Sequence, residues 1–241
     1  NNGERGMHRY IISNSDEMKD VMNVFAMIKL CGYSDDEINI DIVPLFETME
    51  GLDKSESVMK TLYSHPVYKK HLARRNNKQI IMLGFSDGTK DGGYLKANWQ
   101  IYKKKEKLTK ISEENGMKVV FFDGRGGPPA RGGGKTHDFY ASQGKTIANN
   151  QIELTIQGQT ITSVFGNKDQ AKFNFEQLLT AGIENDVFKS VKKDLNDKER
   201  QLISELADIS YQKYSDLKAH PMFVPYLQEM STLEYYGRTN I

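Results

Sequence analysis

Four short runs constrain the fold more than anything else in the chain: MHRYIIS (7–13), INIDIVPLF (38–46), QIIMLGF (79–85) and KVVFF (118–122). Each is continuously apolar and rich in β-branched or aromatic residues. A strand with one wet face alternates in hydrophobicity, whereas a strand covered on both faces does not, so these runs read as strands of a buried parallel sheet. Helical patterns separate them. Residues 16–31 carry Met18, Val21, Met22, Phe25 and Ile28 at three-to-four spacing, with Ser15 placed as N-cap and Gly32 as a C-terminal stop. This Met-rich helix reads as core filling. A second helix covers 53–63 and a short one ends before Arg75. A longer one runs from near Gly93 to Asn115–Gly116, with Leu95, Ile101, Leu108 and Ile111 as its buried stripe. Its lysines Lys103, Lys104, Lys105, Lys107 and Lys110 read as a solvated outer face. Strand, helix, strand, helix is the pattern of α/β architecture.

After residue 150 the pattern changes. IELTIQGQTITSVFG reads as a hairpin turning at Gln157–Gly158, and from Lys168 onward the chain is largely helical: 168–182, about 195–218, and a short helix after Pro221. Residues 1–150 thus form an α/β unit and residues 151–241 a hairpin and helical flank of the same region. With 241 residues the chain can bury a sizeable core. Charged residues make up 27% yet nearly cancel, leaving +1, a balance that calls for neither a nucleic-acid nor a membrane partner. The single cysteine, Cys31, cannot form an internal disulfide, which fits a reducing, cytoplasmic setting. No apolar run approaches the roughly 20 residues of a spanning helix. The opening NNGERGMHRYIIS and the ending LEYYGRTNI suggest a piece of something longer.

In parallel α/β folds, ligands gather beyond the carboxyl ends of the strands. Three of the strands end in polar groups: the second in Glu47 (PLFET), the third in Ser86, Asp87, Lys90 and Asp91 (LGFSDGTKDGG), the fourth in Asp123 and Arg125 (FFDGRGG). Neighbouring parallel strands lie about 5 Å apart, so carboxylates at two adjacent tips could share one hard cation, Mg²⁺ or Mn²⁺. Acids in Asp-Gly and Ser-Asp sequences are also ordinary turn residues, so SDGTKDGG reads equally as a tight turn. The stretch VVFFDGRGGPPARGGGKTHDFY holds six glycines, two prolines and the arginines Arg125 and Arg131. A flexible linker seldom follows VVFF directly, and RNA-binding RGG segments are repetitive and set in basic chains. A Walker loop fails because position 129 is proline where glycine is required. What remains is a loop whose backbone N–H groups approach an anion, with two guanidinium groups as planar donors. A non-catalytic anion-binding module is the rival to an enzyme.

LFETMEGL (45–52), MLGFSDGTKDGGYLKANWQIYK (82–103) and FFDGRGGPPARGGGKTHDFYASQG (121–144), in this order and spacing, resemble the signature segments of phosphoenolpyruvate carboxylase. The resemblance covers essentially the whole chain and implies an internal piece of the catalytic β/α (TIM-type) barrel with additional helices. It implies carboxylation of phosphoenolpyruvate by bicarbonate, giving oxaloacetate and phosphate with Mg²⁺ or Mn²⁺, through carboxyphosphate and an enolate. It assigns the metal to Glu47 and Asp87 and active-site roles to Lys90, Arg125 and Arg131. Arg125 and Arg131, with Gly126, Gly127 and Ser86, would bind substrate. For the full-length enzyme it implies a cytoplasmic homotetramer. Asp123 stands where the family usually has histidine, which would put a carboxylate near the substrate. Pro128-Pro129-Ala130 stiffens the loop between the arginines. The family's N-terminal catalytic histidine motif lies outside the sequence, so residues 1–241 alone are expected not to turn over.

Overall fold

The computed structural model describes residues 3–125, 134–156, 158–188 and 194–230. The element order is α1 (Gly3–Gly6), β1 (Arg9–Ile12), α2 (Met18–Leu30), a 3₁₀ turn, β2 (Asp41–Phe46), α3 (Met49–Ser64), α4 (Pro66–Arg74), β3 (Lys78–Gly84) and α5 (Phe85–Gly92). It continues with α6 (Tyr94–Glu114), β4 (Lys118–Gly124), α7 (Thr136–Ala141), β5 (Ile152–Leu154), α8 (Gln159–Phe165), α9 (Lys168–Val187), α10 (Asp197–Ala219) and α11 (Phe223–Met230). The five strands form one parallel sheet in sequential order β1-β2-β3-β4-β5. The parallel sheet is the one the continuous apolar runs predict, and the α/β architecture is of the kind that makes part of a β/α barrel, as the family resemblance implies.

Curvature makes it a barrel wall and not an open sheet. Four inter-strand spacings of a flat sheet would hold β1 and β5 about 19 Å apart. Instead Arg9 Nη2 on β1 reaches Glu153 Oε1 on β5 at 2.7 Å across the concave face. Register and period-two alternation assign the two faces. Val43, Ile80 and Val120 form a small inner cluster with Met82 and Phe122. Ile42, Phe46, Ile81, Leu83, Val119 and Phe121 face outward into the main core, against Phe25 of α2, Leu52, Met59 and Leu62 of α3, Leu72 of α4 and Ile101, Leu108 and Ile111 of α6.

Several local expectations are corrected by packing. Ser15 is not the cap of α2; its hydroxyl donates to the Ile12 carbonyl, and the capping box runs between Glu17 and Asp20. The hairpin after residue 150 does not form. Ile152–Leu154 pairs parallel with β4, and the β-branched run 159–165 is helix α8. β-propensity is context-dependent: here Phe165 packs on Phe175 of α9 with ring centroids 5.1 Å apart, and Asn174 Nδ2 of α9 donates to the Val164 carbonyl. Gln157 lies outside the described residues. His71 is buried beside Phe25 and Tyr68. The lysines of α6 are not all solvated. Lys104 and Lys105 are buried, Lys104 pairing with Glu56 of α3 at 2.8 Å, while Leu95 of the expected stripe is partly exposed. Trp99 stacks on Tyr102, with Nε1 donating to Ser204 Oγ of α10.

Candidate active site at the carboxyl ends of the strands

Beyond the inner cluster the concave face opens, because its next layer is almost without side chains. Gly84 and Gly124 are register partners on β3 and β4, and Phe46 pairs with Leu83. Glu47 therefore comes level with the two glycines. A Cβ on Gly84 would overlap Cβ of Glu47, and one on Gly124 would lie 3.0 Å from the Leu83 carbonyl oxygen. Glycine at these two positions is thus a close-approach requirement that leaves room for one acidic side chain at the mouth. Among the described residues no hydrogen bond or ion pair engages the Glu47 carboxylate.

The segment after β3 is not a tight turn but helix α5, ended by Gly93 at φ +75°. Met49 packs against Gly92 and Gly88, and a Cβ at Gly88 would lie 3.4 Å from the Glu47 carbonyl oxygen, so the first turn of α5 sits against the β2 tip. Asp91 is not a site carboxylate: its Oδ2 accepts from Met49 N at 2.8 Å and fixes the start of α3. Asp87 and Lys90, on the exposed side of α5, pair with each other at 2.8 Å. From the other side Tyr214 donates to the Lys90 carbonyl, and Lys218 Nζ lies 3.1 Å from the Asp91 carbonyl. Ser86 is half-buried on the same helix.

Asp123 does not face the substrate side. It lies on the outward face of β4, fully buried, with Lys105 Nζ of α6 donating to its Oδ2 at 2.8 Å and Tyr140 Oη of α7 donating to the same oxygen at 2.8 Å. A strand presents successive residues to opposite faces, so position 123 points away from the mouth while Gly124 points into it. Burial draws the Lys105 pKa down against the pull of Asp123. Burial, then the Asp123 charge, pushes the Tyr140 hydroxyl above its usual range, so it stays a proton donor.

Arg125 follows directly, half-buried, its guanidinium carbon 4.2 Å from the centroid of the Phe139 ring. Burial lowers its pKa from the ordinary arginine value; a desolvated, stacked guanidinium is a strong donor to an oxyanion. Phe139 meets Phe85, the first residue of α5, edge to face at 5.5 Å. The ring therefore bridges the Arg125 strand end and the helix carrying Asp87 and Lys90. Gly126, Gly127, Pro128-Pro129-Ala130 and Arg131 lie outside the described residues.

A carboxylate at the mouth that no described residue engages and an exposed one on an adjoining helix are hard oxygen donors of the kind a divalent cation takes. Among the described residues no group of three or more His, Cys, Asp or Glu side chains is gathered for a metal. Glu47 and Asp87 would share such an ion with water or substrate oxygens.

Sequence reasoning missed Lys105, Phe139 and Tyr140. The signal for Lys105 was present, since it falls on the Ile101–Leu108 stripe of α6 and a lysine there needs a buried acid. A curled parallel sheet with acidic and guanidinium groups at the carboxyl ends of its strands is the architecture of part of a β/α-barrel protein. The family model of phosphoenolpyruvate carboxylase matches residues 1–241, and the chain belongs to that family, a family of carbon–carbon lyases that fix carbon.

Proposed function

We propose that this chain carries the metal- and phosphate-binding face of a phosphoenolpyruvate carboxylase, adding bicarbonate to phosphoenolpyruvate to give oxaloacetate and phosphate. The observation that carries the reading is the mouth itself. The Glu47 carboxylate, which no described residue engages, stands level with Gly84 and Gly124, and Arg125 follows the end of β4 stacked on Phe139. Glu47 and Asp87 would hold Mg²⁺ or Mn²⁺, which supplies Lewis-acid stabilisation of charge developing on substrate oxygens. Arg125 binds the phosphate and offsets charge on the phosphoryl group as it moves to bicarbonate. Arg131 and the Gly126–Gly127 backbone complete the anion site in this reading. Lys90, exposed on α5, would leave Asp87 to the cation and turn to bicarbonate or the carboxyphosphate formed from it.

The same reading makes the full-length enzyme a cytoplasmic homotetramer. It also makes residues 1–241 inactive by themselves, in keeping with the apolar side chains that α9 and α10 leave uncovered. Among the described residues no helix is long and apolar enough to cross a membrane.

Steady-state oxaloacetate formation by the full-length protein, coupled to NADH oxidation, tests the proposal. Arg125→Ala and Glu47→Ala should each lower kcat/KM by about a hundredfold or more. Native-like turnover in both variants would remove the assignment. Phosphate-analogue binding by the native protein without any oxaloacetate would instead favour a non-catalytic anion-binding module.

A further inference from the structure

We propose that the buried Lys105–Asp123–Tyr140 cluster is a positioning device for Arg125, an inference that rests on the anion-binding reading of that arginine. Asp123 lies on β4 two residues before Arg125, which directly follows the strand. Its carboxylate is fully buried, and Lys105, only 2% exposed, lies 2.8 Å from both carboxylate oxygens while Tyr140 donates to one of them. These groups come from three separate elements, β4, α6 and α7, so the cluster ties the end of β4 to the two helices behind it.

The tie continues to the guanidinium by a second route. Phe139, next to Tyr140 on α7, supplies the ring face on which Arg125 lies at 4.2 Å. Its ring centroid is also 5.2 Å from Lys105 Nζ and 5.5 Å from the Phe85 ring. Tyr140 is held on its far side by Asn185 of α9, whose Nδ2 donates to the Tyr140 carbonyl at 2.6 Å. Arg125 is therefore located by its own strand and by the ring beneath it, and both trace to Asp123. A charged pair removed from water gains little stability over an apolar replacement. Its directional bonds do fix geometry, and a misplacement of about 1 Å in a binding group can cost about a hundredfold in rate. Asp123, Lys105 and Tyr140 touch no substrate in this account; they act through Arg125.

The test is steady-state kinetics of the full-length enzyme with phosphoenolpyruvate and bicarbonate varied separately, beside thermal unfolding. Tyr140→Phe removes one donor to Asp123 and leaves the ion pair. It should raise KM for phosphoenolpyruvate about three- to tenfold, with kcat and the bicarbonate KM within about twofold. Asp123→Asn combined with Lys105→Met discharges both partners. It should regain most of the melting temperature lost by Asp123→Asn alone without regaining the native KM. A native KM in Tyr140→Phe, or recovery of both Tm and KM in the double variant, would mean the cluster is structural only and overturns the proposal. If Asp123→Asn does not fold, Tyr140→Phe decides alone. Arg125→Ala run alongside separates the two levels. Unimpaired phosphoenolpyruvate binding there would overturn the anion-site reading, whereas a crippled Arg125→Ala beside a native-like Tyr140→Phe would overturn only the positioning role.

Discussion

Helices α3 and α9 are of similar length and lie in the same chain, yet they meet opposite fates. In α3, Leu52, Val58, Met59, Leu62 and Tyr63 are all buried against the outward face of the sheet and against α6, with Tyr63 hydrogen-bonded to Ser112. In α9, Phe173, Phe175, Leu179, Ile183 and Val187 are all more than half exposed, while Ala181 and Asn185 are buried. Helix α10 resembles α9: of its 23 residues, Ala207 alone is buried. It is attached to the barrel wall by polar links instead, Arg200 to Glu106, Lys96 to Asp208, Ser204 to Trp99 and Tyr214 to the Lys90 carbonyl. A helix becomes core only where a sheet face is there to receive its apolar stripe. The elements bearing Glu47, Asp87 and Arg125 sit on the well-covered side, and the helical flank steadies them by hydrogen bonds and ion pairs.

That contrast can be broken most forcefully at the buried charge. Lys105→Met strands Asp123 without its cation and should destabilise by about 4 kcal/mol in chemical denaturation. A loss under about 1 kcal/mol would show that the pair is not buried as described. Leu62→Ala in α3 comes next, at about 3 kcal/mol, while Leu179→Ala in α9 should stay within about 0.5 kcal/mol. Equal losses at the two leucines would erase the difference between the regions.

A pH titration sharpens the same point. Burial, then Arg74 and Arg75, lowers the His71 pKa from 6.5 to about 4. The unfolded chain binds this proton at higher pH than the folded one, so the contribution is full above pH 6.5 and drains away as pH falls towards 4. His71→Gln should flatten that part of the stability profile, and a profile of unchanged slope would place His71 in solvent. Smallest of all, Arg200→Ala should cost about 1 kcal/mol or less, since its pair with Glu106 is partly exposed. A loss comparable to that of Leu62→Ala would mean α10 is held as firmly as α3.

The parallel wall was legible because burial on both faces leaves continuous apolar runs, and all four expected strands formed. Glu47 was legible as a strand-tip residue for the same reason. Its setting was not, because it depends on two glycines that become neighbours only through the β3–β4 register. The hairpin failed because β-branched residues at 159–165 carry a preference that packing against α9 overrides. SDGTKDGG has turn composition, yet Met49, Tyr214 and Lys218 hold it as a helix from far along the chain. Reading Lys105 as solvated treated five lysines as one face, although helical spacing puts Lys105 in line with Ile101 and Leu108. Asp123 looked like a substrate-side change because it adjoins Gly124 and Arg125; strand alternation alone would have turned it outward.

Mn²⁺ binding to the full-length protein, followed by electron paramagnetic resonance, tests whether Glu47 and Asp87 form a metal site. One site is expected, weakened by about a hundredfold or more in Glu47→Ala and again in Asp87→Ala, with Arg125→Ala leaving the ion in place. Undiminished Mn²⁺ affinity in both carboxylate variants would contradict it.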